Sequence, residues 1–345
     1  MTTSMQRIKD KLRHALPPAK WRHLPVRFRK PLFFSIFLLA LGAFAVGFLF
    51  LMYERSYVPQ PFPVSVNPTL NLIEEDPAVD EYYEKHITAT DKEGTKLDWA
   101  DWLSEKLFGG EWYQILAAPR ARNLVIYPGE RREEIADKFG DILRWSEDER
   151  QQFMDLVATS SPLMLEGKFY PGHYLVDQEA PPEYVAGLVN DKFNEEIRAR
   201  YQRRVENQVS LEDALIIASL LEREAYDFTD MREISGVIWN RLFMGMNLQL
   251  DATLQYAKGS SPYGPWWPVP LPRDKYIDSP YNTYQNEGLP PGPIANPSIE
   301  AVLAALNPIE TDCLFYFHAA GGVFYCSDTY EEHVANLRQL YGRGR

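Results

Sequence analysis

Two carboxylates, Glu222 and Glu224, close an almost wholly apolar run that begins at Leu211, and this is where acid–base chemistry could be done. A carboxylate at the C-terminal end of a helix meets the negative end of the dipole, and apolar neighbours withdraw it from water. Both effects favour the protonated form near neutral pH, the state a general acid needs. Residues two apart on a helix point in nearly opposite directions, so the two acids cannot share one wall of a cleft. One is expected to be the working acid and the other its support. The plainer reading makes Glu-Arg-Glu the wet end of a core helix.

The surrounding elements have to hold those acids. Ser210 is a good N-cap and Asp213 suits the first turn, which starts the helix at about Leu211. Ala214, Leu215, Ile216, Ile217, Ala218, Leu220 and Leu221 cover most of its sides, so it is expected inside a domain. A second helix is predicted over Met231 to Leu242, ended by Gly245. Proline excludes regular structure from most of the loop around Trp266-Trp267, which reads as a lid over a cleft. Ser279 to Pro297 is too rich in Pro and Gly for helix or strand. It carries Asn282, Thr283, Tyr284, Gln285 and Asn296, groups that suit hydroxyl and N-acetyl recognition. A helix (Ile299 to Leu306), a hairpin (Leu314 to His318 with Val323 to Cys326) and a closing helix (Thr329 to Leu340) complete the chain.

Further upstream, Leu124 to Tyr127 reads as a strand, followed by a Pro128-Gly129 turn and a helix carrying Ile135, Ala136 and Phe139. A second helix capped by Ser146 and a strand-turn-strand return over Leu165 to Leu175 make a small βααβ unit. The charged stretch Pro181 to Asn207 is expected to be helical, with Tyr184, Leu188 and Phe193 as its buried stripe. Residues 56–75 are Pro-rich and read as an extended stalk. From Asp76 to Arg122 acids mix with aromatics such as Trp99 and Trp102, which suits an amphipathic insertion docked on the body.

The chain has 345 residues and a net charge of -12. Its first thirty residues carry about +8, which leaves roughly -20 on the rest and argues against nucleic acid as a partner. Leu32 to Tyr53 lacks charge and is long enough to span a bilayer, so it is expected to be a membrane anchor. The basic segment before it should stay cytoplasmic, placing everything after Glu54 outside the inner membrane. Cys313 and Cys326 then lie where a disulfide is allowed, though two free thiols fit as well. No metal-ligand cluster, phosphate loop or dinucleotide fingerprint is present, so no cofactor is expected.

Several segments in order resemble the endolytic murein transglycosylase family, the YceG-like proteins. They are LIIASLLERE ending at Glu224, ISGVIWNRLFMGMNLQLDATLQY from Ile234, SPYNTYQNEGLPPGPIANPS from Ser279, and FYF with TYEEH near the end. Upstream, VIYPGERREEIADKFG and LEGKFYPGHYL resemble that family's LysM-like portion. About two-thirds of the chain is covered. The fold class expected is α+β: a single N-terminal transmembrane helix, a small LysM-like βααβ unit and a mixed α+β catalytic domain. The corresponding parts are a cytoplasmic tail (1–31), the anchor (32–53), linker and insertion (54–122), LysM-like subdomain with connecting helix (123–207) and catalytic domain (208–345).

What the resemblance implies is cleavage of the glycan between N-acetylmuramic acid and N-acetylglucosamine, leaving a 1,6-anhydro end. Glu224 matches the family's acid, and Glu222 is given the supporting role. Asn240, Arg241, Gln249, Asp251 and Tyr256 match polar positions implied to line the cleft. Asn282, Thr283, Tyr284 and the Gly288 to Pro297 loop with Asn296 are implied to hold the sugars, and His333 is a candidate on the closing helix. The implied partners are peptidoglycan strands, the bilayer through residues 32–53, and a wall synthase. Departures from the pattern fall at Ala225, Leu250, Ala252, Phe324 and Val334. Two other readings stay open: a glycan-binding scaffold of the same fold, and a hydrolytic muramidase in which Asp251 activates water.

Overall fold

The computed structural model describes residues 41–42, 59–88, 120–158, 164–259 and 264–342. The chain divides into two units, Met1–Val58 and Pro59–Arg345; of the first only the helical residues 41–42 are described. The expected anchor (32–53) therefore lies outside the described residues but for those two, and so do Trp99 and Trp102. Among the described residues no helix is long and apolar enough to cross a membrane.

The second unit is a mixed α+β assembly with three two-stranded antiparallel sheets among its described residues. It begins with β1 (Val66–Asn67) and β2 (Leu72–Ile73), then α1 (Ala78–Tyr83). Next come β3 (Ala121–Ile126), α2 (Arg132–Leu143), α3 (Glu147–Val157) and β4 (Gly172–Asp177). The strands β3 and β4 pair with Ala121 opposite Asp177 and Ile126 opposite Gly172, so the βααβ unit expected from the sequence is present. Ser146 starts α3 with a capping box: its hydroxyl accepts from the Glu149 amide while the Glu149 carboxylate accepts from the Ser146 amide. The core of this unit is Leu124, Ile126, Ile135, Phe139, Phe153, Phe169 and Val176.

After α4 (Pro182–Phe193) and the short α5 (Arg203–Glu206) comes α6 (Leu211–Glu224), with the start and end read from the sequence. Ser210 caps it, accepting from the Asp213 amide at 3.0 Å. Nine of its fourteen residues are buried. It packs on α7 (Phe228–Phe243), α8 (Asp251–Lys258) and α9 (Ile299–Leu306), whose residues Ala301 to Leu306 are wholly enclosed. The hairpin β5 (Phe315–His318) and β6 (Phe324–Ser327) and the closing helix α10 (Tyr330–Tyr341) complete the unit. Cys313 and Cys326 form a disulfide that ties the approach to β5 onto β6.

Several expectations need correction. The stalk read over residues 56–75 is, from Pro59 on, part of the body: Phe62, Val66 and Ile73 are buried in the same core as α6. The Ser65 amide donates to the Leu306 carbonyl at 3.1 Å, fixing this segment against α9. The strand-turn-strand return has only its second strand. Ahead of it, the Gly167 and Phe169 amides donate to the Asn296 side chain at 2.7 and 3.0 Å rather than to a ladder. The buried stripe of α4 is Val185, Ala186, Val189 and Phe193, and Tyr184 is 54% exposed.

Asn296, expected to hold sugar, is fully buried and knits the βααβ unit to the body. Besides accepting from Gly167 and Phe169, its amide group donates to the Glu130 carbonyl at 3.0 Å and to the Glu166 carboxylate at 2.7 Å. The Gly129 amide donates to the Asn296 carbonyl at 2.9 Å. Gly129 has φ +79, and a Cβ there would stand 3.3 Å from the Arg223 guanidinium, so a side chain in the Pro-Gly turn would be strained and crowded. Asn296→Ala strands several buried donors and a buried carboxylate at once. Its expected cost is about 3 kcal/mol of folding free energy, read as a lowered urea midpoint by tryptophan fluorescence.

Candidate active site

Glu224 is the last residue of α6, and its carboxylate is placed between two elements that come later in the chain. Its Oε1 accepts from the Ala252 amide at 3.3 Å, in the first turn of α8, and its Oε2 accepts from the Tyr316 hydroxyl at 3.2 Å, on β5. Burial pushes this carboxyl up to about 7, with the Asp251 charge adding to the rise. The hydrogen bonds from the Ala252 amide and the Tyr316 hydroxyl, and the positive charge of His318 whenever its ring is protonated, oppose the shift without cancelling it. The result is a carboxylic acid half-protonated near neutral pH, as expected for a helix that carries its last acid out of an apolar core.

The carboxyl opens onto a cleft of about 740 Å³. Six of the residues singled out from sequence line it: Glu224, Arg241, Gln249, Asp251, Tyr284 and His333. The Arg241 guanidinium donates to the Leu314 carbonyl at 2.6 Å and to that of Leu248, which fixes it against the hairpin. Gln249 has φ +52, a left-handed conformation unusual for a side chain of its size, and its amide donates to the Thr283 carbonyl. That turn aims the start of α8 at Glu224. The Tyr284 hydroxyl donates to Asp251 at 2.8 Å. His333 packs against the rings of Phe315 and Phe317, and burial lowers its basicity.

The other six do not reach the cleft, and each has a structural occupation. Glu222 points the opposite way from Glu224 and accepts from the Ser298 amide at 3.0 Å and the Ser298 hydroxyl at 2.7 Å. Ser298 in turn caps α9, so Glu222 clamps α6 to α9. Asn240 donates to the carbonyls of Thr311 and Cys313, and thus holds the disulfide-bearing segment. Tyr256 is buried beneath the Arg131 guanidinium, 4.2 Å from its ring centre. Asn282 donates to the Lys275 and Ile277 carbonyls and accepts from the Tyr284 amide, bracing its own loop. Thr283 accepts from the Leu250 amide and shares a hydrogen bond with Thr253, bracing α8. Asn296 has been placed above. The expected Trp266-Trp267 lid is also elsewhere: Trp267 lies 3.9 Å beneath the Arg223 guanidinium and donates to Glu134.

Two residues beside Glu224 were not picked out from the sequence, Tyr316 and His318. The alternation Phe315-Tyr316-Phe317-His318 in a strand puts both on one face, so the period was available while the tertiary neighbour was not. Lys275 also lines the cleft, 4.6 Å from the ring of Tyr284. Among the described residues no cluster of His, Cys, Asp or Glu is arranged to hold a metal ion.

Removing the Glu222 clamp tests its assignment. Glu222→Ala leaves the Ser298 amide without its partner and is expected to cost about 2 kcal/mol of stability, measured as a shift in the denaturant midpoint.

The profile of the YceG-like family matches residues 103–339, over two-thirds of the chain. A protein of Bacillus subtilis (strain 168) named endolytic murein transglycosylase is 36% identical over 170 residues, 49% of this chain and 46% of its own length. One of Streptococcus pneumoniae serotype 2 (strain D39 / NCTC 7466) with the same name is 30% identical over 176 residues, 51% of this chain and 32% of its own. The chain thus spans less than half the length of these curated relatives. The crystal structure of a yceG-like protein from Listeria monocytogenes superposes with a TM-score of 0.54 at 28% identity, over 67% of this chain and 80% of that one. The matched profile, taken with the shared fold, establishes that this chain belongs to the YceG-like family.

Proposed function

We propose that this chain is a lytic transglycosylase that cuts peptidoglycan strands internally, between N-acetylmuramic acid and N-acetylglucosamine, and leaves 1,6-anhydro ends. The observation that carries the reading is Glu224: a carboxyl raised to about 7 by burial, open to a cleft large enough for sugar residues. The names of the bacterial relatives supply the substrate class. In this chemistry the acid protonates the bridging oxygen as the bond to the anomeric carbon breaks. The C6 hydroxyl of the same sugar then closes on that carbon. It must lose its own proton, and in the simplest scheme the new Glu224 carboxylate receives it. No external water is activated, so no second catalytic carboxylate is required.

Residues 32–53 are proposed as a membrane anchor with the body outside the inner membrane, the βααβ unit as a LysM-like glycan contact, and a wall synthase as partner. An enzyme held close to the membrane meets strands as they are made, which suits termination of nascent glycan. Asp251 favours a second reading, since it shares the cleft with Glu224 and would be the group to activate water in a muramidase. The masses of the fragments decide between them. Digestion of purified peptidoglycan with the full chain is expected to yield anhydro ends; reducing ends would establish hydrolysis, and no release would leave a glycan-binding scaffold.

Glu224→Gln is expected to lower the release of anhydro fragments by roughly 1000-fold while glycan binding persists. The acid must be protonated to act, so the wild-type rate should fall about tenfold per pH unit above about 7. Stability carries the same signature. The folded-state pKa lies above the unfolded one, so Glu224 contributes its full share of stability at low pH and loses it as pH rises towards 7. Glu224→Gln escapes that loss and is expected to gain up to about 3 kcal/mol on wild type between pH 4 and pH 8. Thermal unfolding of both proteins across that range measures it.

A further inference from the structure

Asp230 and His318 form a pair that the scheme above does not use. Asp230 lies in the first turn of α7, where its amide donates to Asp227 and its carboxylate accepts from the Tyr226 amide at 2.8 Å. Both of its oxygens stand 2.9 Å from His318 Nε2. A carboxylate that accepts the Nε2 proton selects the tautomer in which Nδ1 is the acceptor nitrogen whenever the ring is neutral. Nδ1 lies on the ring edge away from Asp230 and has no hydrogen-bond partner among the described residues, and the side chain is 14% exposed.

The ring lines the same cleft as Glu224. It stands two residues along β5 from Tyr316, with the two rings 6.1 Å apart, and the Tyr316 hydroxyl holds Glu224 Oε2. The Tyr226 ring meets the imidazole edge-on at 4.9 Å, and Phe324 faces it across the hairpin. The titratable groups facing the imidazole are Asp230 and Glu233 from α7, Glu224 from the end of α6, Tyr226 from the turn between them, and Tyr316 from β5 itself. Each oxygen of Glu224 accepts one hydrogen bond, from the Ala252 amide and the Tyr316 hydroxyl, whereas Nδ1 accepts none among the described residues.

We propose that His318, oriented by Asp230, is a catalytic base in the reaction proposed above, taking the proton of the attacking C6 hydroxyl while Glu224 serves as the acid. The proton of Glu224 goes to the bridging oxygen as the bond to C1 breaks. The C6 oxygen bonds to C1 and passes its proton to Nδ1. The imidazolium then returns a proton to the Glu224 carboxylate, and nothing is consumed. The inference rests on the reading of Glu224 as the acid.

Full-length wild type, His318→Gln and Glu224→Gln are compared on purified peptidoglycan. Glutamine keeps a donor for Asp230 and much of the imidazole's bulk, but it cannot take up a proton. The expected result for His318→Gln is a kcat lowered about 100-fold at nearly unchanged KM, with the acid-side limb of the pH–rate profile gone and part of the rate restored by added imidazole. A His318→Gln enzyme within about threefold of wild type that keeps its acid limb overturns the proposal. Should that variant fail to fold, Asp230→Asn is read instead, with kcat expected to fall about tenfold and KM to hold; an unchanged kcat overturns it equally. An active His318→Gln beside a dead Glu224→Gln sinks only the base assignment. An active Glu224→Gln sinks the acid, and the proposed function with it.

Discussion

A single helix end sets the terms for this molecule. The helix Leu211–Glu224 is buried along most of its length, so its last carboxyl cannot be served by water and has to be served by the protein. Two donors meet it, the Ala252 amide and the Tyr316 hydroxyl, and they come from parts of the chain far apart in sequence. They are too few to offset desolvation, which is why the group stays near the point of exchanging its proton at neutral pH. A better-satisfied carboxylate would be more stable and less able to act as an acid.

Everything that holds those two donors follows from this demand. Ala252 is aimed by the left-handed turn at Gln249 and by Thr283, which accepts from the Leu250 amide and pairs with Thr253. Tyr316 is held by the hairpin, which the Cys313–Cys326 disulfide and the Asn240 amide keep against α7. On the far side of the same helix, Glu222 and Ser298 fix α6 to α9. Many of the polar residues in this body are therefore occupied with backbone groups of loops that proline and glycine keep out of regular structure. They give a rigid support, and six of the expected site residues are left to line the cleft.

Three of the five positions that depart from the pattern the chain resembles, Leu250, Ala252 and Phe324, take part in this support. At Ala252 the group that touches Glu224 is a backbone amide, which any residue but proline supplies. Leu250 likewise gives its amide to Thr283 while its side chain is buried. Phe324, at or next to the place where the resemblance leads one to look for a histidine, stacks on Tyr316 and faces His318 across the hairpin. An imidazole is thus present on this face of the sheet, carried by the other strand.

The local pattern of the chain was enough to place the helix Leu211–Glu224, its Ser210 cap, the βααβ unit and the closing hairpin, because periodicity and capping depend on neighbours a few residues away. It was also enough to turn Glu222 and Glu224 to opposite sides, since that is a property of any helix. Which polar loop residues face the cleft was decided only by the tertiary structure. Asn240, Asn282, Thr283 and Asn296 have the chemistry of ligand-binding groups, and equally that of groups that satisfy backbone amides and carbonyls. Only the long-range packing that brings Gly167 to Asn296, or Leu250 to Thr283, selects the second use. Tyr316 and His318 went unnoticed for the converse reason: nothing in a four-residue aromatic strand tells which of its faces will close over an acid ninety residues earlier.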